Sequence, residues 1–102
     1  MVYYSEVAKS DLKEILWGLA NWEKHSLSYE HAENYVDEIR SVCDVIDKIS
    51  FHFNTQYETH KQYGEKVHTY KRNANTIWYI IYNKTEENIY IEKIISNYVT
   101  VS

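Results

Sequence analysis

Hydrophobic residues recur at two different periods along this chain, and the change between them divides it into a helical half and a strand half. Ala8, Leu12, Ile15, Leu16 and Leu19 return every three or four positions, while Lys9, Lys13 and Glu14 fall between them. That spacing predicts an amphipathic helix with one buried stripe. Ser5 stands just ahead of the stripe, where its hydroxyl can accept a free amide proton of the first turn. The helix is expected to end between Trp22 and Ser26. Ser28 caps a second, longer helix with apolar positions Ala32, Tyr35, Val36, Ile39, Val42, Cys43, Ile46 and Ile49. A short polar connection between two such stripes predicts an antiparallel helical hairpin. Trp17 and Trp22 are expected to close the core of that pair.

After Ser50 the helical period is lost. Phe51 to Tyr63 shows no clean pattern and reads as a loop ending at Gly64. Lys66 to Lys71 alternates in character and predicts a strand. Arg72-Asn73-Ala74-Asn75 supplies turn residues. Thr76-Ile77-Trp78-Tyr79-Ile80-Ile81-Tyr82 is almost wholly β-branched or aromatic, as in a central strand covered on both faces, with Ile77, Trp78, Ile80 and Ile81 buried. Asn83 to Asn88 reads as a polar turn, Ile89 to Ile95 as another strand, and Tyr98 to Val101 as a short final one. Val2-Tyr3-Tyr4 opens the chain as a brief strand. The prediction is one α+β domain over residues 1–102: a short N-terminal strand, a helical hairpin, then three to four antiparallel strands, with the helices packed on one sheet face.

Composition narrows the class of protein. A hydrophobic share of 44% with two Gly and no Pro supports a packed core rather than a disordered chain. No stretch approaches the ~18 apolar residues of a membrane span. The opening Met1-Val2-Tyr3-Tyr4-Ser5-Glu6 lacks the basic and apolar blocks of a secretory signal. The lone Cys43 lies on the apolar stripe of the second helix and fits a reducing compartment, so a cytoplasmic protein is expected. His25, His31, His52, His60 and His68 lack the paired spacing of a zinc site, and neither metal nor cofactor is expected. The net charge of −4 is unevenly spread: residues 1–60 carry five Lys and Arg against eleven Asp and Glu, and residues 61–102 carry six against four. The basic share gathers at Lys66, Lys71 and Arg72 around His68, a local patch able to hold a phosphate.

The order of elements resembles the RelE/ParE superfamily, the toxins of bacterial type II toxin–antitoxin pairs and plasmid-stabilisation systems. The resemblance is carried by the opening strand with Ser5, Ala8 and Asp11-Leu12, by Ala32 and Tyr35 in the second helix, by Tyr70-Lys71-Arg72 leading into Thr76 to Tyr82, and by Ile89-Tyr90-Ile91-Glu92-Lys93-Ile94. It implies a toxin neutralised by a cognate antitoxin, acting either as a ribosome-dependent mRNA endoribonuclease or as a ParE-like inhibitor of DNA gyrase. A third possibility is a non-catalytic interaction domain that has kept the fold. The chain departs from the family in the Pro-free segment Phe51 to Gly64 and in Ser96-Asn97-Tyr98, where many relatives carry His and Arg.

Alternation along the Lys66 to Arg72 strand places Lys66, His68, Tyr70 and Arg72 on one face and Val67, Thr69 and Lys71 on the other. Cleavage of RNA through its 2′-hydroxyl needs a base, a cation to stabilise the phosphorane and a proton donor. His68 titrates near neutrality and suits proton transfer. Arg72 suits bidentate phosphate binding, and Lys66 adds a point charge. Tyr70 or Tyr98 can stack on a base or donate a proton. The resemblance adds that the ribonuclease branch uses such basic residues with a tyrosine near the C-terminus, the place held here by Tyr98. Lys71 is a substrate-binding candidate through the basic patch.

Overall fold

The structure, a computed structural model, describes residues 1–21 and 29–98. Strand β1 (Val2–Tyr4) leads into helix α1 (Glu6–Asn21), and helix α2 spans Tyr29–Asp44. A 3-10 turn (Ile46–Lys48), strand β2 (Phe53–Asn54) and short helix α3 (Glu58–Lys61) follow. Strands β3 (Lys66–Lys71), β4 (Ile77–Thr85) and β5 (Asn88–Ser96) are the remaining elements among the described residues, giving the α+β architecture that the spacing predicts. The expected end of the first helix near Trp22 to Ser26, the Ser28 cap and Trp22 itself lie outside the described residues. So does most of the expected last strand, of which Tyr98 stands in a turn.

The five strands form one sheet in the order β1-β5-β4-β3-β2. Neighbours are antiparallel except β1, which runs parallel to β5 with Val2 opposite Ile89 and Tyr4 opposite Ile91. A parallel partner so far along the chain requires a crossover, and α1 begins it at once. The Ser5 amide donates to the Ile91 carbonyl at 2.9 Å, and its hydroxyl accepts from the Ala8 amide at 3.0 Å. Ser5 therefore ends the strand pairing and caps the helix in one residue.

Helices α1 and α2 cover one sheet face. Ala8, Leu12, Ile39, Cys43 and Ile46 pack with Trp78, Ile80 and Tyr82 of β4 and with Ile89, Ile91 and Ile94 of β5. Strand β1 pairs only with Ile89 to Ile91, which leaves the edge of β5 open beyond it. Buried Asp11 closes that gap: its carboxylate accepts from the Ile94 amide at 3.0 Å and from Lys93 Nζ at 2.8 Å.

Several expectations need correcting. The second helix stops at Asp44, and the chain continues as a 3-10 turn that still delivers Ile46 to the core. Phe51 to Tyr63 is not a plain loop. Its two-residue strand pairs with β3, and α3 places His60 against Tyr79 on the sheet face opposite α1 and α2. These contacts are long-range, so they leave no local period. Asn83, Lys84 and Thr85 belong to β4, and only Glu86, in left-handed geometry at φ 56°, and Glu87 make the turn. Trp78, Ile80 and Ile81 are buried, whereas Ile77, at the start of its strand, is half-buried. Trp17 is 72% exposed, because it falls out of phase with the stripe of Leu12, Ile15, Leu16 and Leu19 and so does not close the helix pair.

Candidate functional site

The chemistry-bearing strand is β3. Lys66 lies opposite Tyr82, His68 opposite Ile80 and Tyr70 opposite Trp78. Residues paired in this way share a face, so the predicted face of Lys66, His68, Tyr70 and Arg72 is the one covered by α1 and α2. Successive same-face residues lie roughly 7 Å apart along a strand, so Lys66 and Arg72 are about 20 Å apart and take different neighbours.

At one end, Arg72 and Tyr70 are held by α2. Arg72 pairs with Glu38 through Nη1 and Oε2, and its guanidinium lies 3.8 Å from the centre of the Tyr35 ring. The Tyr70 hydroxyl donates to the same Glu38 oxygen at 3.3 Å. Tyr35 in turn accepts a hydrogen bond from Trp78 Nε1 at 3.0 Å. Glu38 therefore neutralises the cation that the sequence offers for phosphate. Tyr98 is exposed near this end and borders a hollow with Tyr35, Thr76 and Trp78.

At the other end, Lys66 and His68 meet Asn54 and His52, which come from the segment before β3. Lys66 Nζ donates to Asn54 Oδ1 at 2.6 Å. His52 Nδ1 lies 2.6 Å from the hydroxyl of Tyr82, which has no exposed surface, and the two rings meet edge to face. Burial lowers the pKa of His68, and the neighbouring His52 lowers it further. Burial likewise lowers that of His52, with Lys84 and Lys66 adding to the effect and the Ile49 backbone opposing it. Burial pushes the Tyr82 phenol up to about 12. The outcome is a pair of imidazoles that are neutral at pH 7, flanked by two ammonium groups and anchored by a protonated phenol.

The structure therefore divides the predicted set. Lys66 and His68 gather at one end of the face, Tyr70 and Arg72 at the other with Tyr98 nearby, and exposed Lys71 points to the opposite face. In the sequence His52 is one of five histidines that lack metal-ligand spacing. Its signal as a site residue is a polar side chain between Phe51 and Phe53, and only the pairing of β2 with β3 brings it to His68. Cys43 is wholly buried in the core with its thiol pKa pushed up to about 12 by burial, a packing residue rather than a nucleophile. Among the described residues no cluster of His, Cys, Asp or Glu is arranged to hold a metal ion, and no helix is long and apolar enough to cross a membrane. Comparison with protein families, with curated proteins and with solved structures finds no match for this chain.

Proposed function

We propose that this chain is the toxin of a type II toxin–antitoxin pair, similar to the RelE/ParE toxins, and that it cleaves ribosome-associated mRNA in the cytoplasm under the control of a cognate antitoxin. The observation that carries the ribonuclease reading is His68 beside His52 at the end of the β3 face that also holds Lys66, with Lys66 and Lys84 acting on His52. A neutral imidazole is ready to act as a base at pH 7. His68 takes the proton of a ribose 2′-hydroxyl as that oxygen attacks phosphorus. The Lys66 ammonium, oriented by Asn54, offsets charge on the phosphorane and protonates the departing 5′-oxygen. The products are a 2′,3′-cyclic phosphate and a 5′-hydroxyl, and the route calls on no metal. His52, tied to Tyr82, lowers the basicity of His68.

Expression of the chain alone should arrest growth of a bacterial host, with mRNA fragments ending in cyclic phosphate, and the product of the neighbouring gene should restore growth. His68→Gln should abolish both arrest and fragments, since losing a positioned acid–base group costs about 10²–10⁴-fold in rate. Unimpaired growth at high soluble expression would defeat the toxin reading.

A second reading has its own observation. Glu38 occupies Arg72 and Tyr70, leaving a smaller catalytic set than the sequence offers. That favours a ParE-like gyrase inhibitor or a non-catalytic interaction domain. Growth arrest with intact mRNA, DNA-damage signalling and indifference to His68→Gln would identify the gyrase inhibitor. An absence of arrest would identify the interaction domain.

A further inference from the structure

We infer that the hollow on the sheet face opposite α1 and α2 is a nucleobase-binding subsite for single-stranded RNA. The inference rests on the ribonuclease reading for its ligand, but its geometry is independent of the imidazole cluster. The hollow, of about 380 Å³, lies between α3 and the β2–β3 edge, with walls from Phe53, Tyr57, His60 and Tyr79. His60 is the floor: it is 1% exposed, its ring centre is 4.8 Å from that of Tyr79, and its Nε2 has no hydrogen-bond partner among the described residues. Tyr57 meets His60 at 5.1 Å and Tyr79 at 6.1 Å, edge to face in both cases. Phe53 and Tyr57 remain 61% and 40% exposed, so two flat apolar surfaces stand open at the mouth.

Aromatic rings around a hollow of this kind suit a planar ligand, because bases stack on aromatic side chains whatever their sequence. The polar side chains of the rim, Gln56 and Thr69, are of the types that hydrogen-bond to base edges. On this face Lys71 offers a cation to a phosphate attached to the ring, and exposed Glu65 stands at the other end of the same row. Exposed Lys71 follows Val67 and Thr69 on the hollow's face of β3. Lys66 lies on the reverse of the same strand, beside His68.

The edge of the sheet connects the two sites. Strand β2 has only two residues: Phe53 pairs with Val67 on the side of the hollow, and Asn54 pairs with Lys66 on the side of the imidazoles. An RNA strand bent over this narrow edge sets one base against Tyr57 and Phe53 and an adjoining phosphate at Lys66. The segment Phe51 to Gly64, which departs most from the resemblance in the sequence, supplies most of the walls.

The test uses the full chain and fluorescence anisotropy with 2′-O-methyl RNA hexamers, which bind but cannot be cleaved. Tyr57→Ala should weaken binding by about tenfold, within the range measured for loss of one base stack, and Tyr57→Phe should restore it. Scanning an abasic position through the hexamer should find one site where the base is needed by the parent chain and not by Tyr57→Ala. Lys71→Ala should reduce the salt dependence by about one phosphate contact. Unchanged affinity in both Tyr57→Ala and Phe53→Ala, or no binding of the hexamer by the parent chain, would overturn the subsite. The two readings fail separately. Binding through Tyr57 with uncut cellular mRNA refutes the ribonuclease and keeps the subsite, whereas cut mRNA with no Tyr57 effect does the reverse.

Discussion

Ile80 has no exposed surface and sits between the helices and the rest of the sheet, so its side chain reports directly on the packing of the core. Ile80→Ala should cost about 2–5 kcal/mol, measured as a shift in the denaturant midpoint at constant slope. Gly64 reports on the opposite face. A Cβ at that position would lie 3.0 Å from the Tyr82 carbonyl oxygen and 3.1 Å from Ile81 Cγ2. Backbone cannot give way as a flexible side chain can, so Gly64→Ala should destabilise by about 1–3 kcal/mol, the usual cost of overpacking. A neutral result in thermal unfolding would mean that the segment carrying α3 lifts away from β4 easily. Both residues were noticeable in the sequence. Ile80 sits in the most β-prone run of the chain, and Gly64 is the only glycine of the second half. Only the structure shows that Gly64 is there for close approach to β4 rather than for a turn.

At the scale of elements, α2 and β3 are joined through Glu38, which binds both Tyr70 and Arg72. The pair is partly open to solvent, with side-chain exposures of 27% for Arg72 and 52% for Glu38. Glu38→Ala should therefore cost no more than about 1 kcal/mol in stability. Its larger effect should be to release a guanidinium beside Tyr35, and RNA affinity measured by anisotropy should rise. A loss of affinity would show that Glu38 holds Arg72 in its working position. The alternation of β3 was legible, because period two needs only the local sequence. The face it would present was not, because that depends on which side of the sheet the helices come to rest.

Across the whole molecule, three histidines spaced eight residues apart share one electrostatic property. Burial lowers the pKa of His52, His60 and His68 below the ordinary value of 6.5. The unfolded chain then binds protons at a pH where the folded chain does not, so folding stability falls as pH drops below about 6.5 and is constant above it with respect to these groups. Denaturant midpoints taken at about pH 5 and about pH 7.5 should differ in that direction, and replacing His60 with Gln should shrink the difference. Equal midpoints at the two values would mean that the imidazoles are as well solvated in the folded chain as in the unfolded one.

Local order was written into the residues themselves. The stripe from Ala8 to Leu19, the Ser5 cap and the strands around Tyr70, Ile80 and Ile91 follow from side-chain period, hydrogen bonding near the chain and β-branched bulk, all of which act within a few residues. The α+β class followed from their order. The tertiary structure alone decided what long-range contact controls: the parallel pairing of β1 with β5, the closure of the β5 edge by Asp11, and the strand and helix within Phe51 to Gly64. It also decided the fate of the site residues, because a pairing between β2 and β3 drew His52 to His68, and the position of α2 placed Glu38 against Arg72. Such partners are separated by 16 and 34 residues, and no local period records the side chain that a distant element will bring.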